Sequence, residues 1–239
     1  MRVLRLLAAR AAVVVPAVVV PALAVLLVPS PAFAQIPELG LGAHAGTAGL
    51  GVDASLAFNR WLTLRATWQR YDRSHSLSEA GIDYDGRLKL DSQGLLADVH
   101  PGGRSFRVTG GLFRNRNRVP VTATATGGTI TVNGITYPAA DVGTLTGELT
   151  FSSSTAVYAG IGAGNARGRG VHPRFDLGVL YQGAPRARLD VTGSRLATDD
   201  PAAYAQLLAG LREQERRTED DVRRYRWWPV VQVGLVVVF

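Results

Sequence analysis

The 239-residue sequence has no cysteine, which excludes a disulfide framework, a thiolate metal site and a lipid-modified amino-terminal cysteine. Lysine is nearly missing too: Lys89 stands alone beside 25 arginines, a coding bias more than a chemical signal. Its four histidines, His44, His75, His100 and His172, are scattered without a spacing that would bring two onto one ion, so no metal site and no cofactor is expected. No phosphate-cradling loop occurs either. "GIGAGNARGRG" (160–170) has close glycines but follows a strand pattern without opening a helix. Beyond residue 34 no run reaches the roughly 18–20 apolar residues that a membrane-crossing helix needs. Nucleic-acid binding is supported only by the net charge of +7.

The first 34 residues hold three arginines and no acid, so the remainder carries +4. "MRVLRLLAAR" is a basic head and "AAVVVPAVVVPALAVLLV" an apolar body, broken by Pro16 and Pro21. "SPAFAQ" then sets Ala32 and Ala34 where a signal peptidase reads small residues. Residues 1–34 are expected to be a cleaved export signal and 35–239 the mature domain. Export argues against a nucleic-acid partner.

The mature chain repeats with period two. In "LGVDASLAF" the residues Leu50, Val52, Ala54, Leu56 and Phe58 share a face opposite Asp53 and Ser55. "LTLRATWQR" sets Leu62, Leu64, Ala66 and Trp68 against Thr63, Arg65, Thr67 and Gln69. A helical period of 3.6 would mix these faces. The same alternation continues through 106–112, 145–151, 157–161 and 175–181, with a phase slip between Leu90 and Leu95 that suggests a bulge at 92–94. Asn59-Arg60, "PGGR" and "SSS" read as tight links, 74–83 and 119–141 as long ones. Aromatic residues gather near strand ends (Phe58, Trp61, Trp68, Tyr71, Phe151, Tyr181, Trp227, Trp228), where amphipathic rings favour a headgroup level.

Eight of the last ten residues, "VVQVGLVVVF", are apolar and none is charged. Ten residues cannot cross a bilayer as a helix, but a tilted strand needs only about 9–11. Val231, Val233, Leu235, Val237 and Phe239 fall on one face, and a terminal Phe after such alternation resembles the assembly signal of bacterial outer-membrane barrels. With "SPAFAQ", "NRWLTLRATWQRYDR" and "PVVQVGLVVVF", the mature chain resembles small Gram-negative outer-membrane β-barrels of the OmpA-like or opacity-porin type. The resemblance implies an all-β, antiparallel, up-and-down transmembrane barrel, located in the outer membrane. Its implied partners are outer-membrane lipid, lipopolysaccharide and the barrel-assembly machinery.

Eight strands are expected, near 48–58, 61–73, 84–99, 105–118, 142–151, 155–164, 174–191 and 229–239. This count conflicts with periplasmic termini and periplasmic tight turns, because Asn59-Arg60 would then lie outside. Ten strands, adding "ELGLGAHA" and "ARLDVTG", would resolve it. Asn133-Gly134 between β-rich runs signals a hairpin. One helix is expected near 200–225, capped by Asp200, with Pro201 in its first turn and Tyr204, Leu207, Leu208 and Leu211 as its apolar stripe. Glu213 with Arg217, and Glu219 with Arg223, support it.

A barrel of this size is filled by side chains. The expected interior polar network is Asp53, Arg65, Arg87, Lys89, Asp98, His100, Arg107, Glu148 and Asp176, with both signs present to neutralise one another. Such a network favours a structural or surface-interaction role over the alternative of a narrow porin for small solutes. A second alternative, a lipid A acyl-modifying barrel enzyme, would need Ser74, His75, Ser76 and Glu79 of "DRSHSLSE" to assemble a nucleophile and base. Neighbouring strand residues face opposite ways, so no catalytic residue is assigned. Arg114, Arg116 and Arg118 alternate on one face near a rim and suit lipopolysaccharide phosphates; ordinary solvated loop charges are the other account.

Overall fold

The computed structural model describes residues 38–79, 82–125, 127–164 and 167–239; the leader and its cleavage site lie outside these. In chain order the strands are β1 (Glu38–Gly46), β2 (Gly49–Ala57), β3 (Leu62–Glu79), β4 (Ile82–Val99), β5 (Phe106–Asn115), β6 (Val119–Ala125) and β7 (Thr129–Val132). Then follow β8 (Ile135–Pro138), β9 (Thr144–Phe151), β10 (Thr155–Ala163), β11 (Gly170–Tyr181), β12 (Pro185–Thr192) and β13 (Trp227–Val238). Among the described residues three α-helices interrupt them: α1 (Ala139–Val142), α2 (Leu196–Asp199) and α3 (Pro201–Asp221).

Eight strands close a ring in the order β1-β2-β3-β4-β5-β10-β11-β13, with β13 pairing back onto β1 from Gly40↔Val238 to Gly46↔Gln232. Every pair is antiparallel, and closure leaves the barrel wall no unpaired edge. The count of eight is as expected, but the membership differs. "ELGLGAHA" is a full barrel strand, β1, while "LTGELTF" (β9) leaves the wall and pairs with β6 and β12. This exchange removes the sidedness conflict. The start of β1, the end of β13 and the short links β2–β3, β4–β5 and β10–β11 share one end, the terminal end. The segments 116–154 and 182–226 stand at the other, the distal end.

At the distal end β3 and β4 continue upward as one hairpin. Their register runs unbroken from Leu62↔Val99 to Glu79↔Ile82, so there is no bulge at 92–94 and no long link at 74–83. The phase slip has another cause: the two faces exchange surroundings along β4. In its lower half the even residues Ser92 and Asp98 are buried in the lumen while Leu95 and Val99 face outward. In its upper half the even residues Ile82 and Tyr84 pack into a second hydrophobic core, and Asp83, Asp85 and Arg87 take the outer face.

That core builds a distal domain. Strands β6, β9 and β12 extend the sheet from β4 (Ile82↔Ala125, Val119↔Leu149, Thr192↔Thr144). The hairpin β7–β8 and the helices cover one face, burying Val132, Val142, Leu207 and Leu211 to 2% exposure or less. Asn133 (φ 48) and Gly134 (φ 84) make the β7–β8 turn, which needs two left-handed residues. Asp200 caps α3 by accepting from Ala203 N at 2.9 Å, with Pro201 at its start. Glu213 accepts from Arg217 at 3.0 Å as expected. Glu219 instead accepts from Ala187 N at 3.0 Å, and Glu215 from Leu189 N at 2.6 Å. The helix thereby satisfies the open edge of β12 with two carboxylates.

Candidate functional site

The barrel wall has opposite chemistry on its two sides. Among the described residues, all but two of the exposed large apolar side chains, Leu77 and Ile135 being the exceptions, stand on the outside of the ring or its turns. Phe58, Trp61, Phe106 and Phe239 mark this apolar belt at the terminal end; Trp68, Tyr181 and Trp227 mark it distally. The rings of Tyr181 and Trp227 lie 4.6 Å apart. Val231, Val233, Leu235, Val237 and Phe239 all belong to the outward set, whereas Val236 and Val238 turn inward and are buried together.

Inside, strands far apart in sequence bring charged groups together. Asp176 of β11 accepts from Arg107 Nη2 of β5 at 2.7 Å and from Arg65 of β3 at 3.2 and 3.3 Å. Asp98 of β4 accepts from Arg65 Nη2 at 3.0 Å and from the Thr109 hydroxyl at 2.6 Å. Arg174 of β11 makes a two-pronged pair with Asp53 of β2, one arm at 2.8 Å, and its Nε lies 3.7 Å from Asp176. His44 Nδ1 is 3.1 Å from the same Asp53. Three guanidinium groups thus meet three carboxylates in one connected cluster, and none of the six residues is more than 6% exposed. Balanced charge and shared hydrogen bonds are what make such burial tolerable.

Distal to the charges, Gln69 accepts from Gln232 at 2.6 Å and donates to Ser92 at 3.1 Å, while Gln182 accepts from Asn115 at 2.8 Å. Leu96, Phe113, Tyr158, Leu180 and Val230 form an apolar cluster beside them. Small residues facing large ones make room for all of this. A Cβ on Gly42 would sit 2.8 Å from an Asp53 oxygen, one on Gly162 2.9 Å from Arg107 Cζ, and one on Gly94 2.5 Å from the Phe113 ring. A cavity of about 10 Å³ remains between the charged and apolar layers, room for one water at most.

Of the nine residues expected in the interior network, the lumen holds Asp53, Arg65, Asp98, Arg107 and Asp176 as described, and His100 is buried at its terminal end. Arg87, Lys89 and Glu148 are elsewhere. Arg87 is exposed on the distal hairpin, paired with Asp72 at 2.5 and 2.8 Å. That hydrogen bond holds the Asp72 carboxyl below the ordinary aspartate range. Lys89 bridges to Arg118, and the exposed Glu148 carboxylate lies 4.0 Å from Arg118. Arg87 and Lys89 stand on the odd-numbered face of β4, opposite the lumen-facing Ser92 and Asp98, and Glu148 lies on β9 outside the ring. Sequence reasoning missed His44 and Arg174. The signal for His44 was Gly40, Gly42 and Gly46 at alternate positions around it, the mark of an inward face crossed by large partners.

Ser74, His75 and Ser76 lie on the distal part of β3, exposed, with Ser74 and Ser76 on the face opposite His75. Ser78 donates to Asp83 at 2.5 Å. No hydroxyl–imidazole hydrogen bond occurs among the described residues of this segment, and no group of potential metal ligands gathers among them either. Arg114, Arg116 and Arg118 all point outward at the distal rim.

No protein-family model matches the chain, and no curated protein matches it in sequence. Among solved structures, CarO2 and CarO of Acinetobacter baumannii each superpose with a TM-score of 0.55 at 23% identity. The match covers 86% of this chain and 100% and 99% of theirs, respectively. A major outer membrane protein from Thermus thermophilus is more distant, at TM-score 0.34 and 13% identity over 84% of this chain and 98% of that one. The likeness to the two Acinetobacter structures, spanning their whole length, is one of fold: this chain is a β-barrel protein of the same general architecture.

Proposed function

We propose that this chain is an outer-membrane β-barrel that seals its own lumen and works through its distal domain in a structural or surface-interaction role. The belt supports the location. From Trp227 to Phe239 the outward face of β13 spans twelve residue steps; at a rise of roughly 3.3 Å and a tilt of about 40° this is about 30 Å, the scale of a bilayer's apolar band. An apolar surface that encircles a closed ring is stable against acyl chains and costly against water. On this reading the terminal end is periplasmic and the distal domain is outside the cell. The leader is removed after Ala34, and the outward residues of β13 with Phe239 serve as the recognition element for barrel assembly.

The observation that carries the sealed-lumen reading is the Arg65–Asp98–Asp176–Arg107–Arg174–Asp53 cluster, which ties five strands together across the lumen. A solute path would require these pairs to separate. Planar-bilayer recording of the refolded mature protein is expected to show no stable, reproducible conductance steps. Regular steps would overturn the sealed lumen in favour of a narrow porin. Monodisperse behaviour in detergent-free buffer would overturn the membrane assignment itself.

A further inference from the structure

Immediately distal to the apolar belt, one sector of the outer wall turns strongly basic. Arg114 ends the outward row of β5 above Leu112, and the chain keeps pairing with β4 beyond it. Arg116 N donates to Asp91 O at 2.9 Å and Arg118 N to Lys89 O at 2.8 Å, so alternate arginines stand on one face with Cα atoms about 7 Å apart. Arg70 of β3, paired with Asp91 in register, joins them on that face. Arg70, Arg114 and Arg116 are exposed and donate no side-chain hydrogen bond among the described residues. Two acids share this face: Asp91 accepts from Trp68 Nε1 at 3.2 Å, and Asp72, beside Arg70 on β3, accepts from Arg87.

We propose that this sector binds the phosphate of a lipopolysaccharide headgroup in the outer leaflet, an inference that rests on the outer-membrane reading above. Guanidinium forks suit phosphate oxygens, and a group of them that outnumbers its neighbouring acids attracts an anion. What selects a lipid over a soluble anion is the surface below. Leu95 and Leu112, 72% and 55% exposed, lie next in line on the outward face, and Trp68 stands at the height where indoles meet headgroups. One molecule with phosphates above acyl chains meets both surfaces. A soluble polyanion would use only the upper one.

The test measures binding of purified lipopolysaccharide, and of the same preparation with its phosphates removed, to refolded protein in nanodiscs. Wild type, the R70Q/R114Q/R116Q variant and an R216Q/R217Q control on the far side of α3 are compared. At about 1 kcal/mol for each basic group near a charged lipid surface, loss of three is expected to weaken binding by about a hundredfold. The control should bind as wild type does, and dephosphorylated lipid should bind wild type as weakly as intact lipid binds the triple variant. Equal binding by the triple variant, or undiminished binding of dephosphorylated lipid, would overturn the proposal, as would equally tight capture of heparin. A heat-modifiable electrophoretic shift keeps the two claims apart. Failure of wild type to insert would sink the membrane reading, while inserted variants that do not discriminate would sink only the headgroup site.

Discussion

Replacing Asp176 with asparagine changes one charge and almost no volume, and it strikes the most connected group in the lumen. Asp176 takes hydrogen bonds from Arg107 at 2.7 Å and Arg65 at 3.2 and 3.3 Å, with Arg174 Nε at 3.7 Å. In the native cluster three guanidinium groups balance three carboxylates; in the variant three face two. Leaving a buried charge without its partner costs about 3–5 kcal/mol, and the asparagine oxygen can still accept one hydrogen bond, so D176N should lie near the lower part of that range. The single variant Arg107→Met should cost a comparable amount, because it leaves three carboxylates facing two guanidinium groups and frees the carbonyls of Gly164 and Phe175 to which Arg107 donates. Combining the two restores neutrality. The double variant should therefore be at least about 2 kcal/mol more stable than the sum of the singles. Urea unfolding in lipid vesicles, followed through Trp61, Trp68, Trp227 and Trp228, measures all three. If D176N costs less than about 1 kcal/mol, or the two changes add within about 0.5 kcal/mol, the cluster is not an energetic unit and the account of the sealed lumen fails.

Two further outcomes follow from the packing. Gly94→Ala drives a methyl to within 2.5 Å of the Phe113 ring; it should cost about 1–3 kcal/mol by overpacking, and Phe113→Leu in the same chain should recover most of the loss in the same unfolding assay. Glu215→Ala with Glu219→Ala strips the acceptors from Leu189 N and Ala187 N. Amide exchange should then rise across 186–192 and along α3 while the barrel's heat-modifiable shift stays unchanged, since these bonds belong to the distal domain alone.

The barrel wall is legible in the sequence because period two decides which residues share a face, and it does so without knowledge of the partner strand. Height is not legible in the same way. Arg87, Lys89 and Glu148 alternate as faithfully as Arg65 and Arg107 do, but they sit above the ring, where alternation only separates a covered face from a wet one. β9 shows the same degeneracy. A sheet lying against a helical layer and a barrel lying in lipid both impose one apolar face per strand, so "LTGELTF" reads as barrel wall although it pairs with β6 and β12 outside it. The meeting of Asp53 with Arg174, 121 positions apart, depends on ring closure and on which glycine clears the lumen for which side chain. Neither is a local property of the chain.

One feature of β4 does record height. Read from Ile82 to Val99, its even positions begin apolar (Ile82, Tyr84, Leu88, Leu90) and, apart from Leu96 in the lumen's apolar cluster, become polar or small (Ser92, Gly94, Asp98), while its odd positions begin charged (Asp83, Asp85, Arg87, Lys89, Asp91) and become apolar (Leu95, Ala97, Val99). The register is continuous, so no bulge inverts the faces; the solvent on each side must change instead. The crossover falls at 91–94. Asp91 there accepts from Trp68 across the strand pair, Gln93 and Arg114 are paired, and the outward leucines begin immediately below. A strand whose two faces trade polarity without losing register marks the height at which the apolar belt gives way to water. Within β4 that height coincides with the Trp68 level and with the start of the arginine sector, and three independent chemistries therefore agree on one boundary.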